Sequence, residues 1–107
     1  MKIDISGRHF QVTPALKEYI QEKLQKLDKF SLKLESAHVV LEVQKFHNLC
    51  EILLLGKNLR LTSKEDSADM YAAFDASFGN IELQMRRQHD KVKDHKGRRY
   101  KTKSKEV

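Results

Sequence analysis

Apolar side chains recur along this chain with two periods, and the switches between them divide it into elements. Ile3 and Ile5 alternate with Lys2, Asp4 and Ser6, the period of a half-buried strand, and Gly7 ends it. Thr13-Pro14 then offers an N-cap followed by proline at the first helical position, where a missing N–H is harmless. Leu16, Tyr19, Ile20, Leu24 and Leu27 return every three or four residues, which predicts a helix from about Pro14 to Lys29. Lys17, Lys23, Lys26 and Lys29 flank or oppose its apolar face. Ala37, Val39, Leu41 and Val43 alternate with His38, Val40, Glu42 and Gln44, a second strand. Phe46-His47-Asn48 reads as a short turn, and Cys50, Ile52 and Leu54 alternate with Glu51, Leu53 and Leu55 in a third strand. Gly56-Lys57-Asn58 is a tight hairpin signal, Leu59 and Leu61 continue as a fourth strand, and Ser63 to Ser67 reads as a polar link.

The stretch from Asp66 to Lys96 predicts one long amphipathic helix. Asp66 and Ser67 can each accept a backbone N–H as a cap, and Asp69 then falls in the first turn, where negative charge suits the helix dipole. Tyr71, Phe74, Phe78, Ile81 and Met85 form an apolar stripe, after which Arg86, Arg87, Lys91, Lys93 and Lys96 accumulate. Gly79 sits inside this helix at a cost of about 1 kcal/mol relative to alanine.

The resulting order, β-α-β-β-β-α, is an α+β fold: a four-stranded sheet with two helices packed on one face. Its other face is expected to show His38, Val40, Glu42, Glu51, Leu53 and Arg60. Val40, Leu49, Leu53 and Leu55 make that face more apolar than an ordinary wet one, which suits a protein contact if they are contiguous. Residues 1–95 are expected to form one domain. Residues 96–107 are a basic tail with almost nothing to bury, expected to be disordered until a partner orders it.

Charge sharpens the picture. The chain carries +6, but residues 86–107 hold ten Lys or Arg against three Asp or Glu, whereas residues 1–85 hold eleven against twelve. A near-neutral body with one cationic end calls for a polyanionic partner, nucleic acid before anionic membrane. The candidate RNA-binding residues are Lys23, Lys26 and Lys29 on the first helix, Arg86, Arg87, Lys91 and Lys93 on the last, and Arg98 and Arg99 in the tail. Tyr100 is either a stacking ring for an unpaired base or a stray tail aromatic. The single Cys50 rules out a disulfide within the chain. Without an apolar run of membrane-spanning length or a signal-like start, a soluble cytoplasmic protein is expected. His47-x-x-Cys50 lacks a second ligand pair, so no metal is expected, and Asp66 and Asp69 read as capping residues rather than an acid–base pair. No phosphate loop, nucleophile elbow or catalytic carboxylate pair is present, so neither enzyme activity nor a cofactor is expected.

Several stretches together resemble a known family. Gly7-Arg8-His9-Phe10, Val12-Thr13-Pro14-Ala15-Leu16-Lys17-Glu18-Tyr19-Ile20 and Lys23-Leu24-x-Lys26-Leu27 are similar to the opening of the short ribosome hibernation-promoting factors, of the sigma-54 modulation protein family. Ala37-His38-Val39-Val40-Leu41 resembles their second strand, and Asp69-Met70-Tyr71-Ala72-Ala73-Phe74-Asp75 the motif that opens their last helix. Gln84-Met85-Arg86-Arg87 and Lys91-Val92-Lys93 resemble that helix's basic end. The resemblance implies a fold like a double-stranded RNA-binding domain. It implies binding to rRNA and nearby proteins of the small ribosomal subunit, in the mRNA/tRNA channel at the A and P sites. Translation is thereby blocked and idle ribosomes are preserved in stress or stationary phase. No membrane or small-molecule substrate is implied. The matching contact positions are Lys23, Lys26, Arg86, Arg87, Lys91 and Lys93. Asn80 and Leu83 depart from the family, which commonly has basic residues there. Two other readings use the same fold: a general double-stranded RNA binder, and a protein-interaction module acting through the open sheet face.

Overall fold

The chain builds β1 (Lys2–Arg8), α1 (Pro14–Gln25), a 3-10 turn (Lys26–Phe30), β2 (Leu34–Gln44), β3 (His47–Gly56), β4 (Leu59–Ser67) and α2 (Met70–Lys96). These come from a computed structural model that describes residues 1–30 and 32–96, with side chains through residue 90. The sheet runs β1-β2-β3-β4. β2, β3 and β4 form an antiparallel meander, and β1 joins it parallel to β2, with α1 as the crossover between them. The sheet is therefore mixed, and the predicted α+β order stands.

Alternation along the strands decides where the core lies. Ala37, Val39 and Leu41 of β2, Cys50, Ile52 and Leu54 of β3, and Leu61 and Ser63 of β4 all point to one buried face. Leu16, Ile20 and Leu24 of α1 and Phe74, Phe78, Ile81 and Met85 of α2 close over it. Ser63 and Ser77 are the buried polar residues among those described, and each satisfies the other. The Ser63 hydroxyl lies 2.9 Å from the Ser77 carbonyl and 2.5 Å from its hydroxyl, which ties β4 to α2. Cys50 beside them is wholly buried, and burial pushes its thiol up to about 12, so it stays protonated and inert.

The elements differ from the sequence reading in five places. α1 stops at Gln25, not Lys29, and tightens into the 3-10 turn, whose three-residue period sets Leu27 and Phe30 on one buried side and leaves Asp28 and Lys29 outside. Ser63 to Ser67 is strand, not link: β4 pairs with β3 as far as Asn48↔Ser67. Asp66 and Ser67 therefore do not cap α2. Asp69 does, its carboxylate accepting the Ala72 N–H at 3.0 Å. Starting the helix at Met70 also turns the apolar stripe: Met70 is buried, and Tyr71, expected in the core, is 43% exposed. The β2–β3 turn is Lys45-Phe46, since His47 already pairs with Gln44. The start of α1 is as predicted, with the Thr13 hydroxyl accepting the Leu16 N–H at 3.2 Å and proline in the first turn. Gly56-Lys57-Asn58 also forms its hairpin, with Asn58 left-handed at φ 56°. Gly56 is needed there because a Cβ would strike the Lys33 carbonyl, which accepts the Lys57 N–H at 2.9 Å.

Gly79 has no such reason. A Cβ at this exposed helical position meets nothing within 4 Å. Gly79→Ala is expected to stabilise the protein by roughly 0.5–1 kcal/mol, read as a higher urea midpoint at unchanged slope. An unchanged or lower midpoint would mean that the helix needs its flexibility here.

Candidate nucleic-acid interface

Three contacts fix how α2 lies along α1. The Tyr19 hydroxyl donates to the Asp75 carboxylate at 2.6 Å, the Lys29 ammonium pairs with Glu82 at 3.2 Å, and the Phe30 and His89 rings lie 6.2 Å apart. Asp75, Glu82, Arg86 and His89 are spaced by seven, four and three residues, so Arg86 shares the stripe that faces α1. On α1, Tyr19 and Lys23 are four residues apart on the answering stripe, and Lys26 opens the 3-10 turn that follows. The Lys23 ammonium sits over the Tyr19 ring, 5.5 Å from its centroid, and Tyr71 packs edge-on against that ring at 5.2 Å. The bond to Asp75, with burial, pushes the Tyr19 phenol up to about 12, so it acts as a neutral donor.

The groove between the helices is therefore not basic along its length. Asp75 and Glu82 occupy its front, and Lys29 is spent on Glu82 while also lying over the Phe30 ring, 5.3 Å from its centroid. Of the cations read from the sequence, Lys23 lies at the front of this groove, over the Tyr19 ring, Lys26 is exposed at the start of the 3-10 turn, and Arg86 follows one turn beyond Glu82 at the rear. Arg87 is rotated by about 100° onto the outer face of the helix, in line with exposed Ala76, Gly79, Leu83 and Asp90. Neither guanidinium forms an ion pair among the described residues. Lys91 and Lys93 fall on the last turns of α2. Arg98, Arg99 and Tyr100, with the expected tail, lie outside the described residues. Exposed Arg86 and Arg87 on two faces of one helix can take phosphates from either side, with their forks adding bidentate geometry.

Other side chains explain why neighbouring surfaces are quiet. Gln84 donates to the Thr62 carbonyl at 2.8 Å and to Asn80 at 2.8 Å, and Asn80 reaches Glu65 at 3.3 Å. These amides cover the free edge of β4, a role the sequence did not reveal, and the uncharged Asn80 is part of that cover. His47 and Cys50 point to opposite faces of β3: Cys50 is in the core and His47 lies 3.1 Å from Asp66 on the open face. On that face Leu53, Leu55, Val40 and Leu49 are interleaved with Asp4–His38, Glu51↔Lys64 and Arg8↔Glu42 pairs. It is a mixed surface, not a contiguous apolar patch.

Fold and site together define a small α+β domain with a mixed four-stranded sheet, two helices on one face and cations gathered at one helix end. The chain belongs to the family of the sigma 54 modulation protein / S30EA ribosomal protein, whose profile matches residues 3–93. It is 30% identical over 95 residues to the ribosome hibernation promoting factor of Salmonella typhimurium, covering 89% of this chain and 100% of that one. The same named protein of Pseudomonas putida is 30% identical over 91 residues, 85% of this chain and 89% of its own. Among solved structures, the N-terminal domain of Thermus thermophilus Protein Y superposes with a TM-score of 0.75 at 31% identity, covering 82% of this chain and 99% of that domain. A ribosomal subunit interface protein of Coxiella burnetii shares the fold at the same TM-score of 0.75 and 21% identity, covering 82% and 97%. The family expected from the motifs is thus the family found.

Proposed function

We propose that this protein is a ribosome hibernation factor without catalytic activity, acting in the cytoplasm. It sets its cationic end against small-subunit rRNA, in the mRNA/tRNA channel at the A and P sites. There it shuts out tRNA and holds idle ribosomes inactive in stress or stationary phase. The observation that carries this reading is the coincidence of two facts. The ribosome hibernation promoting factor of Salmonella typhimurium matches over its whole length, and Arg86 and Arg87 form no ion pair among the described residues. Lys23, Lys26, Arg86 and Arg87, with Lys91, Lys93, Arg98 and Arg99, are assigned to phosphate contacts. Lys29 is assigned instead to neutralising Glu82. No described helix is long and apolar enough to cross a membrane.

Co-sedimentation with purified ribosomal subunits tests the proposal. Binding to small subunits at low salt, weakened by added mRNA and tRNA and falling steeply with salt, is the expected result. Folded protein that stays in the supernatant at low salt would remove ribosome binding. A preference for a plain RNA duplex over the subunit would make it a general double-stranded RNA binder.

A further inference from the structure

Phe46 is 92% exposed, whereas the other exposed large hydrophobics among the described residues, Met1, Tyr71 and Leu83, reach at most 44%. It stands at the tip of the β2–β3 hairpin, in a two-residue turn closed by the Gln44↔His47 pair. Its turn partner Lys45 is left-handed at φ 52°, a conformation in which glycine is the ordinary choice for the first position of such a turn. The fold thus holds a lysine in a strained conformation and a phenylalanine in water, and gains no packing from either. The tip is nevertheless well placed, because the Asn48 amide at its base donates to the Ala68 carbonyl at 2.9 Å. That bond anchors the hairpin beside the start of α2, so the tip lies on the order of 25 Å along the helix axis from Arg86.

The ring has no apolar surroundings. Gln44, Lys45, His47 and Asn48 flank it, and all are polar. A protein interface is built round a contiguous desolvated patch, which is missing. A single rigid ring with an ammonium and hydrogen-bonding groups beside it is instead the unit that stacks one unpaired base and meets its phosphate. We infer that the Lys45-Phe46 tip is a second RNA contact, at which the Phe46 ring stacks on an unpaired nucleobase far from the cationic helix end. This rests on the ribosome-binding reading above. It makes the domain a two-point binder, whose second contact is gained at high effective concentration once the first has formed.

The test is affinity for purified small subunits of the full chain and of Phe46→Ala, Phe46→Leu and Phe46→Tyr, each across a salt series. The side chain touches no core residue, so all are expected to fold. Stacking predicts that Phe46→Ala binds on the order of tenfold more weakly with its salt slope unchanged, that Phe46→Tyr restores affinity and that Phe46→Leu does not. Phe46→Ala binding as tightly as the natural chain would overturn the inference while leaving the ribosome reading intact. Leucine serving as well as phenylalanine would overturn it too, in favour of an apolar pocket on a ribosomal protein. Failure of the natural chain itself to bind would sink both.

Discussion

Exchanging Arg86 and Arg87 together for glutamine is expected to weaken binding to small ribosomal subunits by roughly 25- to 60-fold at about 0.1 M salt. The figure follows from counterion release. Each phosphate neutralised contributes about 0.7–0.9 to the slope of log affinity against log salt, so losing two removes about 1.4–1.8 units per decade. Near 1 M salt the double variant and the natural chain should converge. The two arginines lie on different faces of α2, one on the groove stripe and one outward, and neither has an internal partner among the described residues. Their replacement therefore exposes no unpaired acid and should leave stability unchanged. An unaltered slope would show that phosphates lie elsewhere and shift the site to Lys23 and Lys26.

Phe74→Ala should destabilise the fold by about 3–5 kcal/mol, a large part of the roughly 5–15 kcal/mol that holds a small domain together. Phe74 is wholly buried, with its ring 5.7 Å from Phe78 and 5.9 Å from Tyr19. It joins α2 to α1 over the sheet, so its loss leaves a cavity that rigid elements on both sides cannot close. Urea denaturation followed by circular dichroism measures the cost, and Tyr71→Ala is the control. That side chain lies one residue off the stripe and is partly in water, so it should cost well under half as much. Equal losses at the two positions would mean that the stripe is drawn wrongly.

Those two aromatics show what the sequence could and could not reveal. Spacing of three and four fits both Tyr71-Phe74-Phe78 and Met70-Phe74-Phe78, and only the true cap breaks the tie. With Asp69 as N-cap the helix begins at Met70, which turns inward and sends Tyr71 to α1. Asp66 and Ser67 looked like equally good caps because capping chemistry is local, whereas their pairing with β3 is not. The β2-β3-β4 meander, the Gly56-Lys57-Asn58 hairpin and the start of α1 were legible because each rests on neighbouring residues, whereas the place of β1, parallel to β2 across the α1 crossover, was not. For the site, the cations themselves were legible from charge and period. Their cancellation was not: Lys29 and Glu82 are far apart in the chain, and only the docking of α2 on α1 brings them to 3.2 Å. Gln84 and Asn80 gave no signal of their hold on the β4 edge, because that hold depends on how α2 docks against the sheet.

The acids at the front of the inter-helix groove reach beyond that groove. Between Met70 and Met85 the long helix holds Asp75 and Glu82 and no Lys or Arg, and every cation of α2 comes after. In a molecule 49 Å long and 27 by 19 Å across, that separation is a dipole along the long axis. A polyanion's field exerts a torque on such a particle before any atom touches, turning the cationic end forward. The consequence is kinetic. A greater share of diffusional collisions arrives in the productive orientation, and this gain in association rate is screened away by salt sooner than the lifetime of the bound complex.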